Sequence, residues 1–499
     1  MLISKFITSI AFLTVLITGL TGCNSGGGSI PGVTAPINPP VVRATTRENY
    51  MSGKQFCTEY KSITSQEYGR FISVPADYNF PALEQLQIYA YTVKPFDSNK
   101  PSYIFVDGGP GQNTHGMMPE YFAGQFNELR FDQRGLGCSA PESYDTYKNS
   151  KLYSSINNIK DMEEIRKAYG ISQWSVYGLS YGTVPATMYG SKFPSATKSV
   201  VLEGVFGRPD QVHLLKYKAE KMNLALDGLN SKQRESFSNL INEDTEDSAI
   251  IIQLFYNFFY SDTGMHTMQD YLKIIITEDG VIHHEILNKF KERSSERDNK
   301  YKNPQQPGAV DENILSIIYC KNLDYRHKEA LRLNYSSVNG FFTSPSGTKN
   351  YDKECTDAQV SIKDEEPYKL EDYPVSAPVY YFQGSHDGAT MAIGALNHWK
   401  TVPKGASYFL LAQKGGHNPN LNRLEKNIPS IVNEETKIFA KSISGLEITQ
   451  IDLNAVNLSL PNQKWLLFRD STQSSSSEIV DELKGISLVG TNYSSLIFK

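Results

Sequence analysis

The stretch VYGLSYGT, residues 176–183, places Ser180 between Gly178 and Gly182, after a β-like run and before a helix-like one. Two flanking glycines indicate a turn that is too tight for side chains at those positions. A serine at such a strand-to-helix turn stands clear at the carboxyl edge of a sheet, where a nucleophile is needed. The pattern therefore predicts Ser180 as a nucleophile. The alternative is a glycine-rich turn without chemistry.

Strand-like and helix-like segments alternate on both sides of this turn. The runs SYIFVDGG, NELRF, QWSVYGLS and KSVVLEGV are strand-like, whereas DMEEIRKAYG and YGTVPATMYGSKFP have helical character. This alternation predicts an α/β fold with a mostly parallel sheet. It stops where a mainly helical insertion begins, and it resumes with APVYYFQGSHDG. The predicted parts are a first core segment at 51–207, a helical cap at 208–370, a second core segment at 371–445 and a C-terminal extension of unassigned role at 446–499.

A serine hydroxyl becomes a good nucleophile only when a base removes its proton. His417, in QKGGHNP, directly follows the last strong strand, where the chain order Ser, Asp, His places the base. Asp387 follows the run PVYYFQGSH and precedes His417 by 417 − 387 = 30 residues, which is enough for one helix and one strand. We expect Asp387 to orient the imidazole. The alternatives are a helix-capping histidine and an aspartate in an Asp-Gly turn.

Two loops complete the predicted site. DGGPG, residues 107–111, follows a strand, and its glycines would let backbone N–H groups approach a substrate oxygen. We predict an oxyanion hole formed by the N–H groups of Gly109 and Tyr181. In the next loop, DQRGLGCS, we favour an ion pair between Asp132 and Arg134 that shapes the loop over a catalytic role for either residue.

The motifs GGPG, DQRGxGxS, GxSYG, GxxD and GGH occur in this order. The set resembles the prolyl aminopeptidase (proline iminopeptidase) and tripeptidyl aminopeptidase branch of the α/β-hydrolases. The resemblance covers about residues 55–210 and 375–420. It implies Ser180 as nucleophile, Asp387 as acid, His417 as base, and a helical cap over the site. It also implies exopeptidase action on peptides with a free N-terminus, and neither a metal nor an organic cofactor.

The sequence departs from that branch at two places. The branch has a histidine before GGPG, where this chain has Asp107, and Arg-Gly where this chain has Glu203-Gly204. Glu203 is a candidate to bind the N-terminal ammonium of a substrate, and an ion pair with Arg208 is an equal alternative. Two other functions stay open: an esterase or lipase with the same three residues, and a catalytically silent surface-binding protein.

The N-terminus predicts export. Lys5 precedes an apolar run over residues 6–20, which is too short for a comfortable membrane span and typical of a signal peptide. The sequence LTGC that ends at Cys23 resembles a bacterial lipobox, in which cleavage after residue 22 leaves a cysteine that carries acyl chains. An ordinary secretory signal is the alternative. We expect an exported bacterial lipoprotein, and Asn24 favours the outer membrane by resemblance to Gram-negative lipoproteins.

Residues 23–50 form a Gly/Ser/Pro-rich tether, which suits a globular body held off a membrane. The net charge of 49 − 54 = −5 gives no basic surface for nucleic acid. Besides Cys23, four cysteines remain, an even number that fits two disulfides in an oxidising compartment. Of the three possible pairings we favour Cys57–Cys138 with Cys320–Cys355.

Overall fold

The computed structural model of the protein describes residues 47–61, 66–115, 125–207, 225–242, 245–260, 264–300, 307–323, 368–419, 429–459 and 464–469. The predicted signal peptide at 1–22, Cys23, Arg208 and Cys355 lie outside these ranges. The boundaries drawn from the sequence between core, cap and extension stay predictions.

In the described part of the chain, nine strands form a single sheet. They are β1 (Gly69–Pro75), β2 (Gln85–Thr92), β3 (Ser102–Val106), β4 (Asn127–Phe131), β5 (Trp174–Leu179), β6 (Thr197–Glu203), β7 (Val379–Gly384), β8 (Ser407–Ala412) and β9 (Trp465–Arg469). The order across the sheet is β1-β2-β4-β3-β5-β6-β7-β8-β9. The strands from β4 to β8 in this order run parallel, and antiparallel pairs flank them at both edges.

The central strands are buried on both faces, which is why they read as nearly continuous apolar runs. Every residue of β5 is buried, as is every residue of β3 and β7. The predicted α/β class with a mostly parallel sheet is confirmed. Because parallel strands end at the same edge, the loops that follow β3, β5, β6, β7 and β8 meet there.

Helices cover both faces of the sheet and build the insertion. They are α1 (Gly53–Glu59), α2 (Tyr144–Tyr147), α3 (Ser155–Ala168), α4 (Thr183–Lys192), α5 (Ser231–Asn242), α6 (Glu246–Phe259), α7 (Gly264–Ile275), α8 (His284–Lys300), α9 (Glu312–Ile318), α10 (Ala392–Thr401), α11 (Pro429–Ile443) and α12 (Gln450–Ser459). Side chains of α3, α4 and α10 share one large core with the sheet. Side chains of α11 and α12 pack on the opposite face.

The insertion has a core of its own. Helices α5 to α8 bury Phe237, Phe255, Leu272 and Leu287 in a cluster separate from those of the sheet. A segment with a small independent core is expected to keep its own shape while it rests on the sheet layer. Within the described ranges, no helix is long and apolar enough to cross a membrane.

Strand β9 and helix α1 are each connected to the sheet region. Strand β9 pairs antiparallel with β8 along its whole length, so part of the segment predicted as an extension of unassigned role completes the sheet. Near the other end, a disulfide joins Cys57 in α1 to Cys138, in agreement with the favoured pairing. Cys320 is also disulfide-bonded. Its predicted partner, Cys355, falls in a stretch that the structure does not describe.

Candidate active site

Ser180 sits in a strained turn between β5 and α4. Its φ angle is +56°, in the left-handed region that a serine rarely adopts. A Cβ added at Gly178 would lie 2.3 Å from the carbonyl oxygen of Gly182, and one at Gly182 would lie 2.1 Å from that of Val106. Both flanking positions therefore require glycine, and the strain is concentrated on the serine.

His417 and Asp387 are brought together at the same edge of the sheet. The Nδ1 atom of His417 lies 2.9 Å from Oδ2 of Asp387, and both side chains are almost completely buried. Asp387 follows β7 and His417 follows β8, which are neighbouring parallel strands. The 30 residues that separate them contain α10 and β8, so the predicted helix and strand return the chain to the same edge.

Asp387 is held by a set of hydrogen-bond donors. Its Oδ1 accepts from the backbone N–H groups of Ala389 and Thr390, at 2.8 and 2.9 Å. Its Oδ2 accepts from the Thr390 hydroxyl at 2.7 Å and from Nε2 of Gln383 at 3.1 Å. Burial alone would raise the pKa of Asp387, but His417 and the hydrogen bonds from Thr390 outweigh it and hold that pKa below its ordinary value. The carboxylate therefore stays ionised at neutral pH.

This arrangement selects one tautomer of His417. Nδ1 faces Oδ2 of Asp387 and also lies 3.0 Å from the Thr390 hydroxyl oxygen, so it carries the proton in the neutral ring. Nε2 is then an acceptor. It is buried and has no hydrogen-bond partner among the described residues. A buried, unpaired acceptor costs free energy, which indicates a site kept ready for a proton.

The imidazole of His417 lies against Gly204, directly after β6. A Cβ added at Gly204 would lie 2.5 Å from the carbonyl oxygen of His417, 2.9 Å from Cε1 and 3.0 Å from Nδ1. Gly204 follows β6, and the last residue of β6, Glu203, is the register partner of Leu179, the residue before Ser180. Ser180, Asp387 and His417 thus follow β5, β7 and β8 and lie at the same edge of the sheet. In the described part of the chain no hydrogen bond joins Nε2 of His417 to the Ser180 hydroxyl, and the catalytic roles of the three residues stay predictions.

The glycine loop after β3 passes directly against the serine. A Cβ added at Gly108 would lie 3.0 Å from Cβ and 3.5 Å from Oγ of Ser180. The N–H of Gly108 donates to Oδ1 of Asp107 at 2.7 Å, so of these two glycines Gly109 is the candidate oxyanion donor. Tyr181, the other predicted donor, follows the serine in the turn. The oxyanion hole formed by Gly109 and Tyr181 stays a prediction.

Asp107 is a buried carboxylate with one oxygen unsatisfied. Its Oδ2 has no hydrogen-bond partner within the described chain. Burial raises the pKa of Asp107 to about 7, opposed by the hydrogen bond from Gly108 and by Arg130, and assisted by Asp132. The position where the resembling branch has a histidine is therefore occupied by a group that titrates near neutral pH.

Glu203, the candidate for binding a substrate ammonium, is fully buried. Its Oε2 accepts a hydrogen bond of 2.6 Å from the Tyr177 hydroxyl. Tyr177 packs against Phe439 of α11, on the sheet face that α11 covers. This contact favours a role for Glu203 inside the sheet layer. Its other candidate partner, Arg208, is outside the described ranges.

The predicted ion pair between Asp132 and Arg134 is wrong. Arg134 instead forms a bidentate pair with Asp161 of α3, with N–O distances of 2.7 and 2.6 Å. The planar guanidinium suits a carboxylate that it can meet with two N–H groups, and α3 presents one. Arg134 also donates to the backbone oxygens of Ala76 and Leu152, so it holds several segments behind the sheet edge.

Asp132 pairs with His115, a residue that the sequence reasoning missed. Nε2 of His115 lies 2.5 Å from Oδ2 of Asp132, and both side chains are fully buried. The Cys138 sulfur lies near enough to complete a three-ligand metal geometry. However, Cys138 is in the disulfide with Cys57, so it offers no thiolate. His115 carried no glycine motif that could have drawn attention to it.

Thr390 and Gln383 were also missed, although both contact Asp387. Thr390 follows the aspartate by three residues, the spacing at which an Asp side chain caps a backbone N–H. Gln383 lies near the end of the strand that precedes Asp387, and its Oε1 also accepts from the N–H of Val205 at 2.9 Å. The Asp-x-x-Thr spacing was a usable signal, whereas the role of Gln383 depends on the pairing of β7 with β6.

The sequence model of the family described as alpha/beta hydrolase fold matches residues 103–424, more than half of the chain. Curated relatives include the proline iminopeptidase of Xylella fastidiosa (strain 9a5c), 32% identical over 104 residues. The proline iminopeptidase of Neisseria gonorrhoeae is 35% identical over 104 residues. Each match covers 21% of this chain and 32% of the relative, so the chain spans about a third of the length of these relatives.

Among solved structures, the proline iminopeptidase-related protein of Thermus thermophilus aligns with 76% of this chain and 99% of its own. Its sequence identity is 13% and the TM-score is 0.36. The sequence relatives named above confirm the predicted resemblance to the proline iminopeptidase branch.

Proposed function

Because the chain belongs to the alpha/beta hydrolase fold family, we propose that it is a serine hydrolase that releases residues from the N-termini of peptides. Ser180 is the nucleophile, His417 the general base and Asp387 the residue that orients it. The observation that carries this proposal is the buried Nε2 of His417. It is an acceptor without a partner among the described residues, and it lies at the same edge of the sheet as Ser180.

The reaction follows from these positions. Nε2 of His417 takes the hydroxyl proton as Oγ of Ser180 forms a bond to the substrate carbonyl carbon. The carbonyl oxygen becomes an oxyanion that the N–H groups of Gly109 and Tyr181 stabilise. When the C–N bond breaks, His417 gives the proton to the leaving amine. Water then hydrolyses the acyl-enzyme, with His417 again as base.

Asp387 contributes by staying charged. Its lowered pKa keeps it ionised while His417 becomes an imidazolium, so the two opposite charges stabilise each other in a dry site. Its hydrogen bonds from Thr390 and Gln383 fix the carboxylate, and thereby the ring. These steps use only the side chains and backbone groups named above.

The preference for peptides rests on similarity. The curated relatives that match this chain at 30–35% identity are named proline iminopeptidases. The alternative, an esterase, is favoured by the burial of Glu203 and its hydrogen bond to Tyr177, because that carboxylate is then not presented to a substrate ammonium.

A substrate panel separates the candidates. Prolyl and alanyl arylamides, a tripeptidyl arylamide, N-blocked forms of each and a p-nitrophenyl ester are offered to the full-length protein. We expect cleavage of arylamides with a free amine and little cleavage of the blocked forms. Ester turnover without amide cleavage would assign an esterase. A chain that turns over none of them and is not labelled by a fluorophosphonate is a binding protein.

We also propose that the protein is exported and anchored by lipid on Cys23. The Cys57–Cys138 disulfide supports export, because such bonds persist in oxidising compartments. Two or more acyl chains on one cysteine would anchor the protein stably. Expressed in a Gram-negative host, the protein should fractionate with the outer membrane, and Cys23→Ser should remove it from that fraction. Retention of Cys23→Ser in the outer-membrane fraction would contradict the proposal.

A further inference from the structure

The helical insertion makes direct contact with the candidate base. The backbone N–H of His417 donates to the carbonyl oxygen of Tyr260 at 3.0 Å. The two rings also meet edge to face, with centroids 4.9 Å apart and an interplanar angle of 89°. Tyr260 follows α6, so a residue of the insertion fixes both the backbone and the ring of a residue of the sheet layer.

Tyr260 is itself held in place from within the insertion. Helix α6 buries Phe255 against Phe237 of α5, with ring centroids 5.9 Å apart. Helix α6 therefore carries Tyr260 on a packed scaffold and not on a free loop. A scaffolded aromatic ring loses little further entropy when it packs against the imidazole.

Residues 308–311 of the insertion also contact the end of the glycine loop and the residues that follow it. Val310 forms an antiparallel bridge with Gln112. The N–H of Asp311 donates to the carbonyl oxygen of Gly111 at 2.7 Å, and that of Gly308 donates to Oδ1 of Asn113 at 2.9 Å. These contacts dock the segment on the loop that runs past Ser180.

From these two sets of contacts we propose that Tyr260 is a positioning residue for His417. The inference rests on the proposed function, because it assigns Tyr260 a part in the reaction through His417 and not through the substrate. Its ring limits rotation of the imidazole and helps to exclude water from a base that lies at the sheet edge yet is fully buried. Misplacement of a catalytic group by about 1 Å can slow a reaction about 100-fold.

The test uses probes too small to need a peptide-binding pocket. Diisopropyl fluorophosphate bonds to Oγ of Ser180 with loss of fluoride, while His417 takes the proton, so its rate reports the serine and the base. In the full-length protein, Tyr260→Ala should slow this labelling about 10- to 100-fold. For p-nitrophenyl acetate, kcat should fall by a similar factor with KM nearly unchanged. Tyr260→Phe, which keeps the ring and the backbone carbonyl, should restore the wild-type rate.

Tyr271→Ala is the matched control. Tyr271 belongs to the same insertion and packs against Phe258 and Phe290, with centroids 5.5 and 5.2 Å away. It should lower the melting temperature without slowing the labelling. If Tyr260→Ala is labelled at the wild-type rate, or slows only as much as Tyr271→Ala, the inference is wrong. If Tyr260→Ala does not fold, Tyr260→Leu is judged by the same criteria. Absence of labelling in the wild-type protein would instead overturn the proposed function.

Discussion

The described part of the chain contains two buried Asp–His pairs that look alike and differ in what surrounds them. In each, a ring nitrogen faces a carboxylate oxygen, at 2.9 Å for His417 and Asp387 and at 2.5 Å for His115 and Asp132. In each, the second ring nitrogen is buried without a hydrogen-bond partner in the described part of the chain. Both carboxylates also accept from a threonine hydroxyl and from backbone N–H groups.

The two pairs differ in the residues that surround the histidine ring. The His417 ring packs against Gly204, which follows the strand next to the one that leads to Ser180. The His115 ring stacks on Tyr91, with centroids 5.3 Å apart, and packs near Phe56. The sulfur of Cys138, which lies close to it, is tied up in a disulfide. An Asp–His pair therefore indicates catalysis only where it serves a nucleophile, and we assign the His115 pair to stability.

Removing the imidazole ring of His417 should have the largest effect on activity. We expect His417→Ala to lower kcat at least about 10⁴-fold, because the base that takes the serine proton is lost. His417→Ala also removes one partner of a buried pair, so it should lose stability as His115→Leu does, while Asp387 keeps its hydrogen bonds from Thr390 and Gln383. Rates on the best substrate of the panel, with circular dichroism as the check on folding, decide it. Retention of more than a tenth of the activity would remove His417 from the mechanism.

The next largest effect tests the tautomer argument. In Asp387→Asn, the side-chain amide can donate an N–H to Nδ1 of His417. The neutral ring then takes the other tautomer, in which Nε2 carries the proton. A fall in kcat of about 10⁴-fold is expected from such a reversal. The measurement is kcat and KM across pH. If kcat is nearly normal in Asp387→Asn, the aspartate does not orient the base.

The other pair should respond in stability and not in rate. His115→Leu removes one partner of a buried pair and leaves the Asp132 carboxylate uncompensated, which typically costs about 3–5 kcal/mol. We expect a lower free energy of unfolding in urea, with kcat within an order of magnitude of the wild type under native conditions. A collapse of kcat in a folded His115→Leu protein would mean that the second pair also takes part in the reaction.

A further effect on stability concerns Asp107, which begins the glycine loop and interacts electrostatically with Asp132 of the second pair. Its pKa of about 7 in the folded protein exceeds its ordinary value of 3.8, so the folded state holds the proton more tightly than the unfolded chain does. The free energy of unfolding should therefore fall as pH rises from about 4 to about 7, by up to about 1.4 kcal/mol per pH unit from this group.

Asp107→Asn isolates that contribution, because the amide can still accept from the Gly108 N–H and cannot ionise. The stability of the variant relative to wild type should increase between about pH 4 and about pH 7, the window in which the unfolded chain has lost this proton and the folded wild type still holds it. Urea unfolding of both proteins at the two pH values measures the difference. The groups that act on Asp107, namely Arg130 and Asp132, are the same in both proteins. A difference that does not change with pH would contradict the account of Asp107.

The positions of residues that directly follow strands could be predicted from the sequence. Ser180, Asp387 and His417 each follow an apolar run, and parallel strands end at one edge, so their placement at that edge could be predicted. The partners of Arg134 and Asp132 could not, because they lie on α3 and on the glycine loop, and proximity in sequence favoured a wrong pair. Tyr260 was equally out of reach, since its contact with His417 spans 417 − 260 = 157 residues and depends on how the insertion docks.

The most direct test of the central claim is to map the site of fluorophosphonate modification by peptide mass spectrometry. The wild-type protein, His417→Ala and His115→Leu are treated in parallel under native conditions. We expect an adduct on Ser180 in the wild type and in His115→Leu, and almost none in His417→Ala. An adduct on another residue, or equal modification of Ser180 in His417→Ala, would contradict the central claim.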